Sequence, residues 1–168
     1  MAEEYTDAIA LLKADHRKVE ALFEKFEKAG ASTKKGIAHQ ICVELKVHTL
    51  IEEEIFYPGL RGKIDDDLLD EAYVEHDGAK VLINDIEAGD PGDGFYDAKV
   101  TVLSEEIKHH VHEEEMPSEG MFAQARATDV DLVSMRDAML ARKEELMAQE
   151  DAGGLPPAKP TAVNLQPA

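Results

Sequence analysis

Residues 37–58 read IAHQICVELKVHTLIEEEIFYP. Ile37, Ile41, Leu45, Ile51 and Ile55 recur at helical steps once His48 is counted with them. That is the period of a helix burying one face, and the run before Pro58 is too long for a strand. His48 therefore stands in the buried stripe, and Glu52 follows one turn later on the same face. A helix that turns an imidazole and a carboxylate inward needs something there to receive them, because unpaired polar groups are costly to bury.

Working outward, three further stretches have the same character. Helical runs are expected over Thr6–Ala29, Lys34–Tyr57 (stopped by Pro58), Asp66–Ala88 and Phe95–Glu115 (ended near Pro117). Thr6, Ser32 or Thr33, and Asp65 are suitable N-caps, since their side-chain oxygens accept first-turn N–H groups. The other stripes are Ile9, Leu12, Val19, Phe23 and Phe26; Leu69, Ala72, Ile83 and Ile86; and Val100, Leu103, Ile107 and Val111. Short connections between neighbours predict an all-α, up-down-up-down four-helix bundle. A fifth helical segment, Val130–Ala148, carries Leu132, Met135, Met139 and Leu146 and packs on or extends the bundle. The domain spans 1–150. Residues 151–168, with Gly-Leu-Pro-Pro-Ala-Lys-Pro near their start, read as a disordered Pro-rich tail.

Composition narrows the function. The 168 residues are 43% hydrophobic and suit one globular domain. No apolar run reaches a membrane span, and the acidic N-terminus lacks the features of a signal peptide, which points to the cytoplasm. The net charge is −18, so nucleic acid and anionic membrane are poor partners. No protein partner is legible. The lone Cys42 reads as a small buried residue and excludes Cys-rich metal sites. Asp90-Pro-Gly-Asp-Gly94 reads as a turn, lacking the bidentate Glu of a calcium loop. No phosphate-binding loop, nucleophile elbow or zincin motif is present, and no catalytic residue is assigned.

Each helix has a histidine in its stripe: His16, His48, His76 and His110, with Glu52 and Glu114 one turn after the second and fourth. Both halves of the chain give one His and then His-x-x-x-Glu, 32 and 34 residues apart. With 21 Glu in the chain, a single His-x-x-x-Glu means little, and His16/Glu20 and His109/Glu113 are spare copies. Four imidazoles and two carboxylates in one core layer are another matter, because burying them calls for pairing or metal. Mixed imidazole and carboxylate ligands suit iron, manganese or zinc. Six ligands divide well between two ions, with two His each and Glu52 and Glu114 bridging. Iron is preferred, since its open positions bind small diatomic molecules.

The arrangement Asp15-His16, His48-x-x-x-Glu52 running into Phe56-Tyr57-Pro58, Glu75-His76, and His110-x-x-x-Glu114 resembles the hemerythrin-like (HHE cation-binding) domain of bacterial type over about residues 8–122. The resemblance implies a four-helix bundle with a non-haem centre of two iron ions, bridged by carboxylates and an oxo or hydroxo group. It implies oxygen binding, response to nitric oxide or peroxide, or iron sensing. The oxygen carriers of that family use five His with one Glu and one Asp. Here Glu114 stands where they have a second helix-4 His, and Pro117-Ser-Glu-Gly120 precedes Phe122. Harder, anionic ligands favour ferric iron, which points away from reversible oxygen carriage and toward redox chemistry or sensing.

The expectation is a centre at His16, His48, Glu52, His76, His110 and Glu114 that binds, senses or turns over oxygen, nitric oxide or peroxide. Phe23, Ile51 and Ile107 would keep its cavity dry. An iron-level sensor and a metal-free helical interaction protein are the alternatives, and an enzymatic role stays open. On helix 4 the apolar stripe selects His110/Glu114 over His109/Glu113. His39, His112, Glu53, Glu54 and Glu115 fall off the stripes and read as solvated, with one of the glutamates able to hydrogen-bond a ligand imidazole. Tyr57 and Tyr73 read as core residues near the layer.

Overall fold

The structure, a computed structural model, describes residues 4–165. Helix α1 covers Ala8–Lys28 and α2 covers Ala31–Ile51. A π-helical turn, Glu52–Phe56, leads into α3, Tyr57–Leu60. Then come α4, Asp66–Ala88; α5, Tyr96–Glu115; α6, Met121–Arg126; and α7, Leu132–Gly153. The described residues form no strand, and no helix is long and apolar enough to cross a membrane.

The ends of the helices refine the expected caps. Asp7, not Thr6, caps α1, accepting the Ala10 N–H at 2.9 Å. Ser32 and Thr33 lie inside the first turn of α2, and Thr33 instead donates to the Gly30 carbonyl. Asp65 caps α4 as its sequence suggests. Pro58 does not stop the second helix. The chain first widens into the π turn, where the Tyr57 N–H reaches the Glu52 carbonyl five residues back. Pro58 then falls at the start of a new α segment, where its missing N–H costs nothing.

Helix α1 packs along α2, α4 along α5, α2 against α4, and α1 against α5, which closes a four-helix ring. Helix α7 lies across α1, α2 and the π turn, and α6 against α5. The core divides into two apolar clusters. One gathers Leu12, Ile51, Tyr57, Leu69, Phe122 and Met139; the other gathers Phe23, Ile41, Leu45, Ile83, Leu103 and Ile107. Full burial of each such side chain stabilises by about 1.5–3 kcal/mol. Along α1 and α4 the chain passes from the first cluster to the second, and along α2 from the second to the first; α5 serves the second cluster alone, and the chain rejoins the first at Met121 and Phe122 of α6. His16, His48 and His76 fall at the crossing point of their helices, and His110 stands between Ile107 and Val111 of the second cluster.

The expected disorder from 151 differs from what is seen. Asp151–Gly153 finish α7, and residues 154–165 form a strap held against α4. Asn84 exchanges two hydrogen bonds with the Ala158 backbone, at 2.8 and 2.9 Å. The N–H groups of Thr161, Ala162 and Val163 all donate to the Asp77 carboxylate, at 2.7–2.8 Å. Composition shows a segment poor in core formers but cannot show a buried carboxylate waiting for its backbone. The last three residues of the expected tail, 166–168, lie outside the described residues.

Candidate metal centre

Between the two apolar clusters lies a polar layer. It consists of His16, His48, Glu52, His76, His110 and Glu114, none more than 7% exposed. The structure brings together all six residues that the stripes select. His76 Nε2 and His110 Nε2 are 3.1 Å apart, and the His16 and His48 rings meet edge to face with centroids 4.9 Å apart. Glu52 Oε1 is 2.9 Å from His48 Nε2 and 3.5 Å from His76 Nε2. Glu114 contacts His110 Nε2 through Oε1 and lies 3.8 Å from His16 Nε2 through Oε2. Each carboxylate thus spans one imidazole from each pair. The spare copy on helix α5 faces out: His109 is 64% exposed.

All four rings point Nε2 inward and Nδ1 outward. Nδ1 of His16 donates to Glu115 at 3.0 Å, of His48 to Asp15 at 3.0 Å, of His76 to Glu53 at 3.1 Å, and of His110 to Glu75 at 2.9 Å. Such hydrogen bonds fix the tautomer and orientation that leave Nε2 free to bind a cation. Off the apolar stripes, Glu53 and Glu115 are expected to be solvated, with one such bond at most. In fact both are used, as are Asp15 and Glu75. The signal was adjacency: Asp15 and Glu75 precede ligand-position histidines, and Glu53 and Glu115 follow the two inward glutamates.

The π turn brings in Tyr57. In a regular helix a residue five after Glu52 would face away, but the widened turn returns it to the core. Its buried phenol donates to Glu114 Oε1 at 2.9 Å and lies 3.2 and 3.3 Å from Nε2 of His76 and His110. Phe122, delivered by α6, stacks on His16 with centroids 5.8 Å apart. The tight turn before it depends on Gly120, where any side chain would collide with the backbone of Met116 and Glu114.

The layer carries strong fields. Burial alone would depress the His48 pKa, but Glu52 and Asp15 outweigh it and push it up to about 10. Glu114 and Glu75 likewise raise His110 against its burial. Burial tends to raise Glu52, yet His48 and His76 hold it well below the usual carboxylate range. Burial and then Glu114 and Glu52 push the Tyr57 phenol well above its ordinary value.

The donor set fits a cation. His16 Nε2, His48 Nε2, both oxygens of Glu52 and one of Glu114 are buried without a hydrogen-bond partner. Buried polar groups are nearly always hydrogen-bonded, and here five atoms that lack such a bond, and meet only in imidazole–carboxylate contacts, converge on one layer. Glu52, His76, His110 and Glu114 offer ligand atoms within 4.8 Å of one another. Beside the layer is a cavity of about 20 Å³, walled by the four imidazoles and by Val19, Leu45, Ile107 and Val111. Ile107 lines it as expected; Phe23 and Ile51 lie instead in the apolar clusters on either side.

Residues 7–122 match the family model of the hemerythrin HHE cation binding domain. A DNA nickase from Nostoc sp. (strain PCC 7120) is 29% identical over 106 residues, which cover 62% of this chain and 30% of the nickase. The chain therefore spans well under half the length of that relative. The crystal structure of a hemerythrin HHE cation binding domain-containing protein from Mycobacterium kansasii superposes with a TM-score of 0.72. It covers 89% of this chain and 95% of its own at 20% identity, and so shares the fold.

Proposed function

The chain belongs to the hemerythrin HHE cation-binding domain family, and from that premise we propose that the layer holds two iron ions and meets a small oxidant there. His16 and His48 would hold one ion and His76 and His110 the other, with Glu52 and Glu114 shared between them. The observation that carries this reading is the convergence of buried imidazole nitrogens and carboxylate oxygens, five of them without a hydrogen bond. Bound iron would supply a ferrous–ferric couple and open coordination positions. The residues do the rest. Asp15, Glu53, Glu75 and Glu115 orient the imidazoles, and Val19, Leu45, Ile107 and Val111 give the cavity an apolar wall. A cavity of about 20 Å³ admits an oxidant the size of oxygen, nitric oxide or peroxide and little more. The Tyr57 phenol holds Glu114 by donating to its Oε1.

Metal content of the purified chain, taken with an optical spectrum, tests the reading. Two irons per chain with ferric absorption are expected; no iron after iron-supplemented expression would overturn it. One observation favours a second reading, that of an iron-level sensor. Thr161 of the strap donates to Glu53, and Glu53 accepts from His76. Occupancy of the centre could therefore reach the C-terminal strap. Peroxide turnover by the loaded protein favours the enzyme; release of the strap on iron removal, without turnover, favours the sensor.

A further inference from the structure

The outward copy of the helix α5 motif is not used by the buried centre. We propose that His109, Glu113 and Glu75 form an outer site for a divalent first-row cation, ferrous iron in particular, through which the buried centre is loaded. The inference rests on reading the buried layer as an iron centre.

His109 Nε2 is 3.2 Å from Glu113 Oε1 and 3.3 Å from Glu75 Oε2, and the three donor atoms lie within 4.8 Å of one another. That spacing suits ligands about 2.0–2.2 Å from a shared ion. One imidazole with two carboxylates selects iron, manganese or zinc over calcium and magnesium, which prefer oxygen alone. Three protein ligands on an exposed edge leave the remaining positions to water, so a cation here exchanges readily.

Charge points the same way. Three of the four carboxylates that orient the buried imidazoles are capped by a cationic side chain: Asp15 by Lys143, Glu53 by Lys80 and Glu115 by Arg17. Glu75 has no Lys or Arg partner among the described residues. Its Oε1 accepts from His110, and its Oε2 faces His109. The place that an ammonium or guanidinium fills at the other three positions is here formed by His109 and Glu113. A free cation completes the pattern, and a chain of net charge −18 concentrates cations at its surface.

The site also leads inward. On one side it opens to a surface hollow of about 390 Å³. On the other, a crevice of about 10 Å³ is lined both by Glu75 and Glu113 of the outer site and by His110 and Glu114 of the layer. That volume is roughly one water. Glu75 links the two: its Oε2 faces His109 at the outer site and its Oε1 holds the outward Nδ1 of His110, a residue of the inner layer.

Full-length metal-free protein mixed anaerobically with ferrous ions tests this, with bound iron measured against time. His109→Ala and Glu113→Gln should slow uptake at least five-fold and leave the final iron content unchanged. His39→Ala, an exposed histidine on α2, should load at the wild-type rate. Calorimetry on iron-loaded protein should find one further zinc ion per chain that His109→Ala removes. Wild-type uptake rates and unchanged zinc binding in His109→Ala would overturn the outer site. A lower final iron content at an unchanged rate would overturn it too, making His109 a support for Glu75. A wild-type chain that takes up no iron would instead remove the buried centre itself, and the loading site with it.

Discussion

Nδ1 of His48 donates to Asp15 at 3.0 Å, although Asp15 adjoins a different histidine, His16, in the chain. The same exchange recurs in the second half, where Glu75 adjoins His76 and holds His110. In each helix pair the first helix supplies the support for the second's imidazole, while Glu53 and Glu115 carry support across to the other pair. Asp15→Asn keeps the shape but weakens acceptance and removes the charge opposite Lys143. Iron affinity by chelator competition should fall about 10- to 100-fold with the helical spectrum unchanged. Unchanged affinity would mean that Asp15 is a surface salt bridge and nothing more.

The run Glu52-Glu53-Glu54 makes a graded test in three adjacent residues. Glu52 is fully buried between His48 and His76, Glu53 holds His76 from outside, and Glu54 pairs with Arg142 at the surface. Iron per chain should be nearly abolished in Glu52→Ala, reduced in Glu53→Ala and unchanged in Glu54→Ala. Equal content in all three would show that the wrong face of the helix had been assigned to the centre.

Much of this was legible because the inward residues obey a helical period. His48 and Glu52 are in phase with Ile41 and Leu45, and His110 and Glu114 with Leu103 and Ile107, so periodicity alone selected them over His109 and Glu113. Three things were not legible. The π turn has no local composition that marks it, so Tyr57 could be placed near the layer but not in it. The six-residue α6 is too short to repeat a helical stripe, which hid the position of Phe122 over His16. The strap depends on Asp77, whose role as a receptor for three N–H groups is a tertiary fact with no signature in 154–165.

Acidity should act oppositely on the metal-free and loaded forms. The His48 pKa of about 10 stands above its ordinary 6.5. A group raised by folding contributes its full stabilisation below 6.5 and loses it as pH rises toward 10. The metal-free protein should therefore show a falling Tm between pH 7 and 10. Iron requires neutral imidazoles, so binding releases protons, and iron should leave as pH falls below about 6. The difference in Tm between loaded and metal-free protein should widen with pH. A metal-free Tm flat over this range, or iron fully retained at pH 4, would contradict the paired-imidazole description.

Tyr57→Phe removes one hydroxyl from the layer and keeps the ring that packs against Tyr73 and Phe56. Glu114 then loses a donor at 2.9 Å, and a hydrogen bond to a charged group contributes about 1.5–3 kcal/mol. The variant should still load iron, but strong chelators should strip it about ten-fold faster or more. Its visible spectrum should also shift, since the phenol lies within 3.3 Å of two proposed ligand nitrogens. A spectrum and release rate identical to wild type would confine Tyr57 to packing.

The strap offers the last prediction, because it joins the C-terminal segment to the centre through single atoms. Burial tends to raise the Asp77 pKa, but the N–H groups of Thr161, Val163 and Ala162 together with Lys80 hold it below the usual carboxylate range. Its stabilisation is therefore present above about pH 3.8 and lost below. At neutral pH the same loss can be imposed by Asp77→Asn, which offers one oxygen where two now accept three N–H groups. Residues 154–165 should then exchange amide hydrogens at least ten-fold faster. Freed of Thr161, Glu53 would remain held by Lys80 and His76, so iron content should stay close to wild type while the strap moves. Amide exchange in the strap identical to wild type would show that Asn84 and the packing of Leu155 hold the segment without Asp77.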